Sequence, residues 1–241
     1  MRRFITVTIA ATLLLSTALA ERRVAPLRPY VPVAVTLPDV FADTQLDAFR
    51  AELGKVARGR IFAGLARLTA AQGFFWGRDF SNAFDARRLG VDNLATALRL
   101  EHDGGAGWAA LERFADEARA LELESRPGVV CAPAPPRFDS IAFDRLIADT
   151  RTVAEDWVYT RSADAAVRAA PRIDAPAREI LGLHFVRVLE WSDGWTKVVA
   201  PGGAVGFVPP GALRGLEAAR LCYGKDPAGR WQIAGFIGRG H

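Results

Sequence analysis

Ala166-Val167-Arg168-Ala169-Ala170-Pro171, Glu179-Ile180-Leu181-Gly182, Val186-Arg187-Val188-Leu189, Gly194-Trp195-Thr196-Lys197-Val198 and Gly206-Phe207-Val208 follow one another within residues 166–208. Each run is too short for a helix of ordinary length, and Gly, Pro or Asp stands between one run and the next. Val167, Val186, Val188, Val198 and Val208 alternate with polar or small neighbours, as residues on the inner face of half-buried strands do. Gly194 and Gly206 fall where a tight turn or a close backbone approach leaves no room for a side chain. Several short strands with turns between them predict a small β-barrel rather than a sandwich.

The same runs, taken in order and extended to residues 157–213, resemble the bacterial SH3-like domain family. Ala166-Val167-Arg168-Ala169-Ala170-Pro171 is similar to that family's strand-opening asparagine-valine-arginine-x-x-proline pattern, with Ala166 in the asparagine position. Phe207 stands where the family commonly has Trp. The resemblance implies an SH3-like barrel over residues 151–215, with a peptide-binding or cell-wall-binding surface of the kind that accompanies envelope enzymes. The chain as a whole resembles a group of exported Gram-negative proteins ending in a Gly-Arg-Trp hairpin, matched here by Gly229-Arg230-Trp231. That second resemblance implies a location but no activity.

On the C-terminal side, Leu221-Cys222-Tyr223 and residues 231–237 flank the turn Asp226-Pro227-Ala228-Gly229, which predicts a β-hairpin within residues 216–241. On the N-terminal side the spacing becomes helical. Leu46, Phe49, Leu53 and Val56 recur at i, i+3, i+7 and i+10, Ile61, Leu65 and Leu68 share a second face, and Trp108, Leu111, Ala115 and Ala118 a third. Residues 40–150 therefore read as a mainly α-helical domain, with Gly73-Phe74-Phe75-Trp76 as a short aromatic run and residues 126–136 as a Pro- and Gly-rich breaker. Residues 21–39, with four prolines, read as an extended tether. The expected fold class is α+β: a mainly helical N-terminal domain, a small SH3-like β-barrel and a C-terminal β-hairpin.

Residues 1–20 open with Arg2-Arg3, continue through an apolar run and reach Ala18-Leu19-Ala20, the order of a cleavable signal peptide. The run is shorter than the ~20 apolar residues of a spanning helix. It predicts export to the periplasm, or secretion, with no stable membrane span after cleavage. Cleavage leaves 29 basic residues against 27 acidic ones, a net charge of about +2 that argues against a nucleic-acid partner. Two cysteines in an exported chain read first as a Cys131–Cys222 disulfide closing a loop of about 90 residues, with free thiols as the alternative.

No motif announces catalysis. A cysteine hydrolase would pair Cys131 with His102 or His184, yet Cys131 lies in the Pro-rich stretch rather than at a helix start that would lower its pKa. Three histidines without H-E-x-x-H or paired-Cys spacing predict neither a metal site nor a cofactor. Asp79, Asp85, Glu101 and Asp103 leave a motif-free carboxylate pair open. The aromatics Trp191, Trp195, Tyr159 and Phe207 are the candidate ligand-binding residues, with Trp191 the one expected at the surface. The expected function is a periplasmic non-catalytic binding protein whose barrel recognises peptidoglycan, a peptide or an envelope protein. The alternative is an envelope hydrolase with its site in the helical domain.

Overall fold

The computed structural model describes residues 29–77, 83–101, 103–191 and 194–238. The leader expected at residues 1–20 lies outside them, as do Asp79 and His102. In chain order the elements are β1 (Val35–Thr36), α1 (Thr44–Gly59), α2 (Phe62–Leu68), β2 (Phe75–Gly77), α3 (Gly90–Leu98), α4 (Ala106–Ala115), β3 (Leu121–Leu123), β4 (Arg126–Ala132), β5 (Arg137–Phe138) and α5 (Ser140–Thr150). There follow β6 (Trp157–Thr160), β7 (Ala166–Arg168), β8 (Ala177–Ile180), β9 (Phe185–Trp191), β10 (Thr196–Val199), β11 (Val205–Val208), β12 (Leu213–Gly215), β13 (Arg220–Lys225) and β14 (Trp231–Ile237).

The expectation of a mainly helical domain over residues 40–150 is overturned. The described residues are mostly β, with fourteen strands in three sheets and five short helices. Helices α1 to α4 pack on a five-stranded sheet of order β2-β14-β13-β4-β3, antiparallel except where β2 runs parallel to β14. Two of its strands come from the C-terminal end of the chain, so no local window over residues 40–150 shows the sheet they complete. A second obstacle is β4 itself. Its Pro127 and Gly128 read as a breaker, yet Val130, Cys131 and Ala132 pair in register with Tyr223, Cys222 and Leu221. Pro127 sits at the strand's exposed start, where a missing N–H costs least.

Local chemistry still explains the helices. Asp43 caps α1 by accepting from the Gln45 and Leu46 amides at 2.9 Å, and Asp139 caps α5 in the same way. The buried stripe of α1, including Leu46, Leu53 and Val56, meets Leu65, Leu94, Leu98 and Leu111 from the other helices. Tyr223, Ile233 and Phe236 close that core from the sheet side.

The second large sheet has the order β12-β6-β9-β10-β11-β7-β8 and is antiparallel throughout. Val158, Val167, Val186, Val198 and Val208 are buried together with Leu181 on its inner side. Gly206 permits the close packing of β11 on β7, since a Cβ there would lie 2.4 Å from the Arg168 carbonyl oxygen. Gly194 turns the chain into β10 with φ +81°.

A third core lies between the second sheet and the elements β1, β5 and α5. Phe138 meets Phe185 edge-on with ring centroids 5.0 Å apart, Phe143 lies tilted on Phe185 at 4.4 Å, and Tyr30 meets Trp157 edge-on at 4.9 Å. The described part of the proline-rich segment is extended but docked. The Tyr30 hydroxyl donates to the Val199 carbonyl at 2.9 Å, and β1 pairs with β5.

Candidate functional site

The strands β12, β6 and β9 lie side by side, and their ends build a groove. Trp157 and Val158 open β6 and form its floor; Trp157 is 1% exposed and its indole N–H donates to the Thr152 hydroxyl at 2.7 Å. β9 pairs with β6 through Trp157↔Arg187 and Val158↔Val186, and extends beyond it to Trp191. On the other flank Gly215 pairs with Val158, and the chain turns outward through Leu216, Glu217 and Ala218. The short turn before β6 brings Ala154 and Glu155 to the rim, held by a Val153 amide donating to the Asp156 carboxylate at 3.2 Å.

These residues enclose about 380 Å³, within the range of small-ligand clefts. Trp191 forms one wall, and at 64% exposed it offers most of its indole to solvent. The lining is apolar apart from the carboxylates of Glu155 and Glu217, both on exposed residues. An indole face and carboxylates around an apolar floor attract ammonium and guanidinium groups carried on short apolar chains.

The other aromatic candidates are not brought to this groove. Tyr159 is buried in the third core, with burial pushing its phenol above the ordinary value. Phe207 is half-buried on β11, opposite Lys197 and Arg168. Trp195 is half-buried just ahead of β10. The groove residues that sequence reasoning missed are Glu155, Leu216 and Glu217. They come from two turns flanking β6 and β12, and carry no local signal beyond being polar or apolar loop residues.

A second cavity, of about 580 Å³, lies between α5, Tyr30 and β9. It gathers Arg145, Arg151 and Arg187 with Asp149, but Tyr30 is committed to core packing and a backbone hydrogen bond, so no aromatic face is offered there.

The thiol mechanism loses its nucleophile: Cys131 and Cys222 are joined in a disulfide. His184 is half-buried, and burial lowers its pKa. Asp85 is engaged by Arg87 at 3.2 Å in an exposed loop. Among the described residues no group of three or more His, Cys, Asp or Glu side chains is placed to hold a metal ion, and no helix is long and apolar enough to cross a membrane. Comparison with family models, curated proteins and solved structures returns no match to this chain.

Proposed function

We propose that this is an exported, non-catalytic binding protein that holds amine-bearing peptide chains of the cell envelope in the groove beside Trp191. The observation that carries the reading is the exposed indole of Trp191 over an apolar floor rimmed by Glu155 and Glu217. A stacked indole and a nearby carboxylate both favour a cationic side chain, and the apolar floor accepts its methylene stem. The sequence resemblance to SH3-like domains in residues 151–215 supports a peptide-recognising role for this part of the chain. Export is supported by the signal-like order of residues 1–20 and by the disulfide, which persists in an oxidising compartment.

Retention of the mature protein on purified peptidoglycan sacculi tests the proposal, with Trp191→Ala run in parallel. Wild type should be retained and the variant washed through. Failure of the wild type to bind sinks wall recognition, and equal retention of the two removes Trp191 from the site.

A further inference from the structure

Glu117 follows α4 and is 4% exposed, an unusual place for a carboxylate. Its Oε2 accepts from the guanidinium of Arg161, on the turn after β6, at 3.1 Å and from that of Arg214, on β12. Its Oε1 accepts from the Arg119 amide at 3.2 Å, and its carbonyl accepts from Arg50 at 2.7 Å. The charge of Arg214 opposes the rise that burial gives the Tyr159 phenol pKa. The helical layer and the seven-stranded sheet are thus joined through one buried carboxylate.

The charges there do not balance. Arg119, Arg161 and Arg214 line a cavity of about 100 Å³ together with Glu117 and Tyr159. Three guanidiniums face one carboxylate, an excess of two positive charges in a half-enclosed space. The Nε–H of Arg119 is buried and makes no hydrogen bond. A buried donor without an acceptor is costly, more so when the group is charged. Burial, and then repulsion from Arg214, also lower the pKa of Arg161.

We infer that this junction cavity is a binding site for one small oxyanion, a carboxylate or a phosphate group, held by Arg119, Arg161 and Arg214. The volume admits such a group. Planar guanidinium forks suit both oxyanions. The site is independent of the Trp191 groove and does not rest on the function proposed for it.

The test is calorimetric titration of the mature, disulfide-bonded protein with sodium phosphate and, separately, sodium acetate at constant ionic strength. Saturable one-to-one binding of either anion is expected, weakened about tenfold or more in Arg119→Gln by loss of a charge-assisted hydrogen bond. Acetate binding assigns the site to carboxylates, and binding of phosphate alone assigns it to phosphate groups. Absence of saturable binding by wild type, or undiminished binding by a folded Arg119→Gln, overturns the inference. Should that variant not fold, the Arg119 Nε–H resonance of wild type decides: it must shift along the anion's binding curve, and a stationary resonance overturns the site.

Discussion

Cys131 and Cys222 stand directly opposite one another on β4 and β13, their Cα atoms 4.0 Å apart and their sulfurs bonded. The bridge crosses between adjacent strands at the centre of the five-stranded sheet, so it fastens a strand from the middle of the chain to the C-terminal hairpin. Both residues are essentially inaccessible, covered by Ile237 with Phe75, Leu123 and Val129 packed around them.

Closing a loop between residues 91 apart removes unfolded-state entropy worth about 4–5 kcal/mol in the chain-entropy model. Cys131→Ser with Cys222→Ser should therefore lower unfolding free energy by several kcal/mol, as urea denaturation would read. Thiol titration of denatured, unreduced wild type should find almost no free thiol. Two titratable thiols per chain would contradict the bridge.

Two tryptophans of the groove should separate cleanly. Trp157→Ala removes a fully buried ring from the third core and should cost about 3–5 kcal/mol. Trp191→Ala removes an exposed one and should change stability by no more than about 0.5 kcal/mol. Thermal melts of the two variants check the contrast; a comparable loss in both would make Trp191 a packing residue.

Gly206→Ala should destabilise by about 1–3 kcal/mol, because the added methyl meets backbone at 2.4 Å rather than a side chain that can swing away. A variant as stable as wild type would show that β7 and β11 are not packed this closely.

Acid should act at the cap of α1. Amide donors of the first turn, then the Trp231 indole and Lys225, hold the Asp43 carboxyl below its usual range. A depressed folded-state pKa contributes stability above the unfolded value near ~4 and loses it as pH falls through the folded value. Asp43→Asn keeps the capping acceptor but not the charge, so its stability should decline less than that of wild type below about pH 4. Asp43→Ala should cost about 1 kcal/mol at neutral pH. Parallel denaturation series at pH 3 and pH 7 check both, and identical pH profiles for wild type and Asp43→Asn would remove the charge effect.

The sequence reveals strands better than their partners. Valine alternation locates β9, β10 and β11, and the aspartate-proline turn locates β13 and β14, because side-chain period and turn chemistry are local properties. What stayed hidden is pairing over long separations. Tyr223 with Val130, and Phe236 with Trp76, are sheet neighbours about 90 and 160 residues apart. Of the helices that read as one domain in residues 40–150, α1 to α4 form a layer over that sheet and α5 packs on the other. The groove was half readable: Trp191 was visible as an aromatic at a strand end, whereas Glu155 and Glu217 reach it only through the β12-β6-β9 order.

Peptide binding in the Trp191 groove is tested most directly by a nitrogen-15 NMR titration with a short lysine-containing peptide. The Trp191 indole N–H and the amides of Glu155, Val158 and Glu217 should shift together on one saturable curve, and Trp191→Ala should abolish it. No saturable shift in wild type, or shifts confined to residues away from the β12-β6-β9 edge, would contradict binding in the groove.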